Sequence, residues 1–98
     1  MKEKIVSLLK KTVTDNNISD KDGSYLTPAV HGKIITCDKD CQNQFVFSIR
    51  NSEFETIYNI TEKGDIFNKR GKELKSRTSL NKVYGQINYI ADGLYPRY

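Results

Sequence analysis

The chain has 98 residues, 37% of them hydrophobic and 29% charged, with a formal net charge of +4. Residues 1–98 are read as a single small domain, with no room for a two-lobed enzyme that carries its own cofactor domain. No window approaches the ~20 apolar residues of a membrane span, and ten aromatics (six Tyr, four Phe) set the chain apart from disordered sequences.

Residues 2–14 are predicted to be a helix. Ile5, Leu8, Leu9 and Val13 recur at helical spacing with Val6 beside them, and lysines take the other side. The helix is short and has no Trp or Phe on its apolar face, which favours packing on a sheet over lying on a membrane. Lys10-Lys11 interrupts the apolar run a signal peptide would need, so the expectation is a cytoplasmic protein with its two cysteines as thiols. The sequons at Asn17 and Asn59 are then accidental. Residues 15–28 are polar, carry the breakers Asp22-Gly23 and Pro28, and read as a loop.

From residue 29 the period changes to two. Residues 29–37 end in the β-branched run Lys33-Ile34-Ile35-Thr36-Cys37, and Asp38-Lys39-Asp40 reads as a turn. Residues 44–50 alternate with Phe45, Phe47 and Ile49 on one side, and residues 54–61 with Phe54, Tyr58 and Ile60 on one side. Lys63-Gly64 and Arg70-Gly71 turn the chain into residues 65–68 and 72–75. Short strands punctuated this densely predict an antiparallel meander. The last segment fits two patterns. Leu80, Val83, Tyr84, Ile87, Ile90, Ala91 and Leu94 make a helical stripe, with Gly93 as its stop. The weak helix propensity of residues 83–90, and Asp92-Gly93 between apolar runs, favour a hairpin instead. The expected fold is therefore α+β: an N-terminal helix packed on an antiparallel β-meander of five to seven short strands, with a hairpin at 83–95 and a helix there as the alternative.

Little catalytic equipment is visible. His31 is the one histidine; a six-residue offset in one strand places it ~20 Å from Cys37. Cys37 and Cys41 supply two of the four ligands of a structural zinc site, and no second pair follows. Phosphate-binding glycine loops are absent. Glu53 and Glu55 lie in a half-exposed strand without a pocket, and Asp20, Asp22, Asp38 and Asp40 show no EF-hand register. No enzyme activity, metal or cofactor is expected.

Charge is the best lead. Residues 1–62 carry eight Lys/Arg against nine Asp/Glu, whereas residues 63–98 carry eight against three. Lys63, Lys69, Arg70, Lys72, Lys75, Arg77 and Lys82 are opposed in that stretch only by Asp65 and Glu73. The aromatics Tyr58, Phe67, Tyr84, Tyr89, Tyr95 and Tyr98 interleave with them. Basic charge with aromatics on a sheet suits phosphate contact and base stacking. The same lysines also suit a solvated, aggregation-resistant edge.

Residues 54–75, from Phe54-Glu55-Thr56-Ile57-Tyr58 to Gly71-Lys72-Glu73-Leu74-Lys75, resemble the modular DNA-binding motif that precedes the HNH nuclease of phage and intron homing endonucleases. Tyr58, Ile60, Thr61, Gly64, Ile66, Gly71, Leu74 and Lys75 match the pattern, and Tyr84-Gly85-Gln86-Ile87-Asn88 resembles the strand that follows it. The family's upstream Trp is missing, and its HNH domain would begin beyond Tyr98. The resemblance implies a β-hairpin DNA-binding module without nuclease activity. The expected function is thus non-enzymatic nucleic-acid binding on a basic β-hairpin surface, DNA ahead of RNA, with the seven cations on phosphates and Tyr84 and Tyr89 stacking or entering a groove. The alternative is a small phage-type inhibitor that binds a host nuclease or defence complex; the chain is small, lacks cofactor equipment, and has the Lys, Asn and Ile richness of AT-rich genomes.

Overall fold

The computed structural model describes residues 1–20, 23–39 and 44–95. In chain order it contains α1 (Lys2–Asn16), β1 (Ser24–Leu26), β2 (Lys33–Lys39), β3 (Phe45–Asn51), β4 (Thr56–Thr61), β5 (Ile66–Asn68) and α2 (Arg77–Leu94). The five strands form one antiparallel meander in the order β1-β2-β3-β4-β5. This is the expected α+β class, with a second helix added.

Alternation places the core. Cys37, Phe47, Ile60 and Ile66 lie abreast across four strands, with Ile35 beside Ile49. All six are buried against Ile5, Leu9 and Val13 of α1 and Val83, Ile87 and Ile90 of α2. Both helices therefore cover one face. The opposite side chains, Leu26, Thr36, Ser48, Asn59 and Phe67, form a row across the uncovered face. Among the described residues no helix is long and apolar enough to cross a membrane.

The expected hairpin at 83–95 is instead the helix α2. Its buried residues are Leu80, Val83, Ile87, Ile90 and Ala91, spaced by three and four. A strand would have aligned Val83 and Ile87 with Gly85 and Tyr89 and turned Ile90 to water. Burying an Ile or Val is worth about 1.5–3 kcal/mol, whereas propensity differences are ~0.7 kcal/mol or less per ordinary residue. Packing wins. Ser76 caps the start, its Oγ accepting from the Ser79 N–H at 3.1 Å. Gly93 is not a turn residue: a Cβ there would collide with Val30 Cγ1, so the glycine allows α2 to approach the chain ahead of β2. The Tyr84–Asn88 stretch, a strand by resemblance, is thus helical.

Smaller corrections follow from hydrogen bonding. Asp38 and Lys39 continue β2, where Asp38 pairs with Val46 and Lys39 with Phe45, rather than turning the chain. Within the expected 15–28 loop, α1 runs on to Asn16 and Ser24–Leu26 pairs with β2. Residues 72–75 make only an isolated bridge, Phe67 with Glu73. Phe54, Glu53 and Glu55 precede β4 in an exposed turn, so only Tyr58 and Ile60 of the expected stripe lie in the sheet. Asp22, Asp40, Cys41 and Tyr98 lie outside the described residues, and with them the Asp22-Gly23 turn and any Cys37–Cys41 pairing.

Candidate nucleic-acid interface

Three turns of one design position most of the charge. In residues 68–72 the Asn68 N–H donates to Lys72 O, the Gly71 N–H donates to Asn68 O, and Asn68 Oδ1 accepts from the Arg70 and Lys72 N–H groups at 2.9 and 3.0 Å. Gly71 takes φ 80°. Residues 61–65 repeat the pattern with the Thr61 hydroxyl and with Gly64 at φ 96°. Residues 51–55 repeat it with the Asn51 side chain, which accepts from the Glu53 and Glu55 N–H groups at 3.0 and 2.9 Å. The left-handed residue of this third turn is Phe54, at φ 64°. A short loop closed by one left-handed residue is a standard hairpin connection, and glycine is its ordinary occupant.

The seven predicted cations do not form one patch. Lys69, Arg70 and Lys72 are exposed on the turn after β5. Because Asn68 lies opposite Tyr58 and β4 starts at Thr56, that turn shares an end of the sheet with the 51–55 turn. Lys63 is on the β4–β5 turn, at the other end. The chain then returns along β5, with the Leu74 N–H donating to Ile66 O at 2.7 Å, and so brings Lys75 and Arg77 back towards Lys63. Lys82 is exposed further along α2.

Few carboxylates answer these cations. Asp65 pairs with Lys2 at 3.5 Å, and Glu62 with Lys10 at 3.2 Å. Glu73 reaches Lys75 at 4.0 Å, where the lysine is mostly exposed. Among the described residues, Lys63, Lys69, Arg70, Lys72, Arg77 and Lys82 have no carboxylate within 4.0 Å. The first turn of α2 contains no acidic residue, and Lys75 and Arg77 flank it. Cations there oppose the helix dipole, which favours anions at an N-terminus by about 0.3–1 kcal/mol.

The tyrosines divide. Tyr84 is half-buried and packs on the core, so it presents no free stacking face there. Tyr89 is 57% exposed and stacks on His31, ring centroids 4.1 Å apart and planes 20° apart. His31 is in the turn ahead of β2 at φ 52°, and the pairing of Lys33 with Asn51 puts that turn at the same end of the sheet as the 51–55 turn. Cys37 is buried under α1, so the structure does not bring it together with exposed His31. Burial pushes its thiol up to about 12, with Asp38 and Glu62 adding to the shift and Lys10 opposing it.

Sequence reasoning missed Arg50 and Phe54. The Arg50 guanidinium lies 4.7 Å from the Phe54 ring centroid, and its NH1 donates to Phe54 O at 3.2 Å. The ring is 53% exposed. A non-glycine residue held at such a φ costs roughly 1–3 kcal/mol, and such residues cluster at ligand-binding and switch positions. The available signal was the shared Asn-x-x-x-x register of 51–55 and 68–72. Comparison with protein-family models, with curated proteins and with solved structures finds no match to this chain.

Proposed function

We propose that this is a non-enzymatic, cytoplasmic nucleic-acid-binding protein that holds phosphates on the basic turns and α2 start of its C-terminal third. The observation that carries the reading is the set of exposed cations, Lys63, Lys69, Arg70, Lys72 and Arg77, without carboxylate partners among the described residues. Each exposes charge at an end of the sheet or at a helix start, where a phosphate backbone gains from counterion release. The half-burial of Tyr84 and the stacking of Tyr89 on His31 favour phosphate contact over tyrosine stacking.

The test is fluorescence anisotropy with labelled single-stranded and duplex DNA and RNA at two salt concentrations. Affinity is expected to fall with salt, and K69A/R70A/K72A is expected to reduce both the affinity and the salt slope. An unchanged slope in that variant, or no binding at low salt, overturns the reading; a pull-down for a host protein is then the next experiment.

A further inference from the structure

On the uncovered face of the sheet, Ser24, Leu26, Thr36, Asp38, Arg50 and Phe54 line a groove of about 320 Å³. Four features mark it. Thr36 is only 6% exposed and its Oγ1 has no hydrogen-bond partner among the described residues. Among the same residues Arg50 Nε is likewise buried and unpartnered, and no carboxylate lies within 4.0 Å of the guanidinium. Phe54 holds an exposed ring at a left-handed position that glycine takes in both sister turns. At the far end, Asp38 Oδ1 accepts from the Ser24 hydroxyl at 2.8 Å.

We propose that this groove binds one unstacked nucleotide of a single-stranded nucleic acid, its phosphate at Arg50, its base beside the Phe54 ring and its donor-bearing edge towards Asp38. The choice of ligand rests on the nucleic-acid reading above. Arg50 is opposite Ile34, four residues before Asp38 on the same strand, a span of roughly 13 Å at 3.3 Å per residue. Side chains reaching inward shorten that span to one a nucleotide bridges. Splayed bases are recognised in this way, by stacking on aromatic rings and by hydrogen bonds to their edges. Continuity supports the placement. The Lys69-Arg70-Lys72 turn is at the same end of the sheet, with β5 two strand spacings from β3, roughly 10 Å. A strand held by that turn therefore reaches Arg50. Glu53 and Glu55 are exposed beside Phe54 and oppose a polyanion there. A single phosphate is accordingly anchored at Arg50 rather than on the turn.

The experiment compares labelled dT10, the same strand with one central dG, and their RNA counterparts, by anisotropy. The proteins are wild type, R50Q, F54G, D38N and K69A/R70A/K72A. F54G keeps the fold, because the turn accepts glycine at the equivalent positions Gly64 and Gly71. Wild type is expected to prefer the dG strand. F54G and R50Q are each expected to lose about tenfold in affinity, the scale of one base stacked on an aromatic ring. D38N is expected to lose the preference for dG. If F54G and R50Q bind like wild type while the triple variant is weakened, the groove is not a nucleotide site and the basic surface stands. If they are weakened while the triple variant is not, the groove stands and the basic surface falls. If wild type binds no strand at low salt, both fall. An unchanged dG preference in D38N overturns the placement of the base edge.

Discussion

Phe54 occupies in the β3–β4 turn the position that Gly71 occupies in the turn after β5, at φ 64° against 80°. The surrounding hydrogen bonds match, down to the asparagine carbonyl oxygen that accepts two backbone N–H groups in each turn.

Glycine at position 54 is therefore expected to stabilise the fold. Relief of the left-handed backbone is worth roughly 1–3 kcal/mol, and the lost cation–π contact with Arg50 about 0.5–1 kcal/mol. Thermal unfolding should show F54G melting several degrees above wild type, about 4–8 °C per kcal/mol at this chain length. The converse change, Gly71→Ala, meets open space and should cost about 1–2 kcal/mol through the backbone alone. Gly64→Ala should cost more, because its Cβ would come within 2.8 Å of Lys2 Cβ. A melting temperature for F54G below that of wild type would contradict this account.

Stability and binding are expected to move in opposite directions at Arg77. Arg77→Glu places an acid in the first turn of α2, which has none, and should raise stability by about 0.3–1 kcal/mol at low salt. The same variant should bind single strands and duplexes more weakly. Denaturant unfolding and anisotropy on one preparation check both signs.

Gly93 tests the seating of α2. Alanine is intrinsically better than glycine within a helix by about 1 kcal/mol, but its Cβ would collide with Val30 Cγ1. The clash should dominate, so G93A is expected to destabilise. G93A/V30A should recover part of the loss relative to V30A alone, a non-additive cycle of the kind contacting residues produce.

Alkaline pH should weaken the fold through Cys37. Its folded value of about 12 is above the ordinary 9.0, so the folded state holds a proton that the unfolded state gives up. That stability is complete below pH 9 and is lost as pH rises towards 12. Tyr95 acts in the same direction, since burial and the hydrogen bond it donates to Asp15 at 2.8 Å raise it above 10.0. In a Cys41→Ser background, the fall of melting temperature above pH 9 should be shallower when Cys37→Val is added. In that same Cys41→Ser background, the native protein should react slowly with a thiol reagent at pH 8 and rapidly once unfolded.

Much of this was legible in the sequence. The stripe Ile5, Leu9 and Val13 and the alternation Phe45, Phe47 and Ile49 each have a single reading, and the structure buries the first and most of the second as expected. The segment after Ser76 was ambiguous because local and distant physics disagree there. Asp92-Gly93 is a hairpin signal in isolation, yet the glycine answers Val30, which is some sixty residues earlier in the chain. Charge counting found the cations but not their grouping. The return of residues 73–74 along β5 moves Lys75 and Arg77 away from Lys69, and nothing local encodes that. Phe54 was misread because its aromatic ring extends the alternation of Tyr58 and Ile60 in register, while its backbone belongs to a turn.

The hydrogen bond between Tyr95 and Asp15 spans 80 residues, whereas every strand pairs with its immediate neighbour in the chain. On the ribosome the meander can therefore assemble hairpin by hairpin as it emerges. Its apolar face, with Ile35, Phe47 and Ile60, stays only partly covered until the residues after Ser76 have been translated and have left the exit tunnel. A chain cut off before Arg77 would hold a sheet with its greasy side open, which is the state a chaperone would recognise.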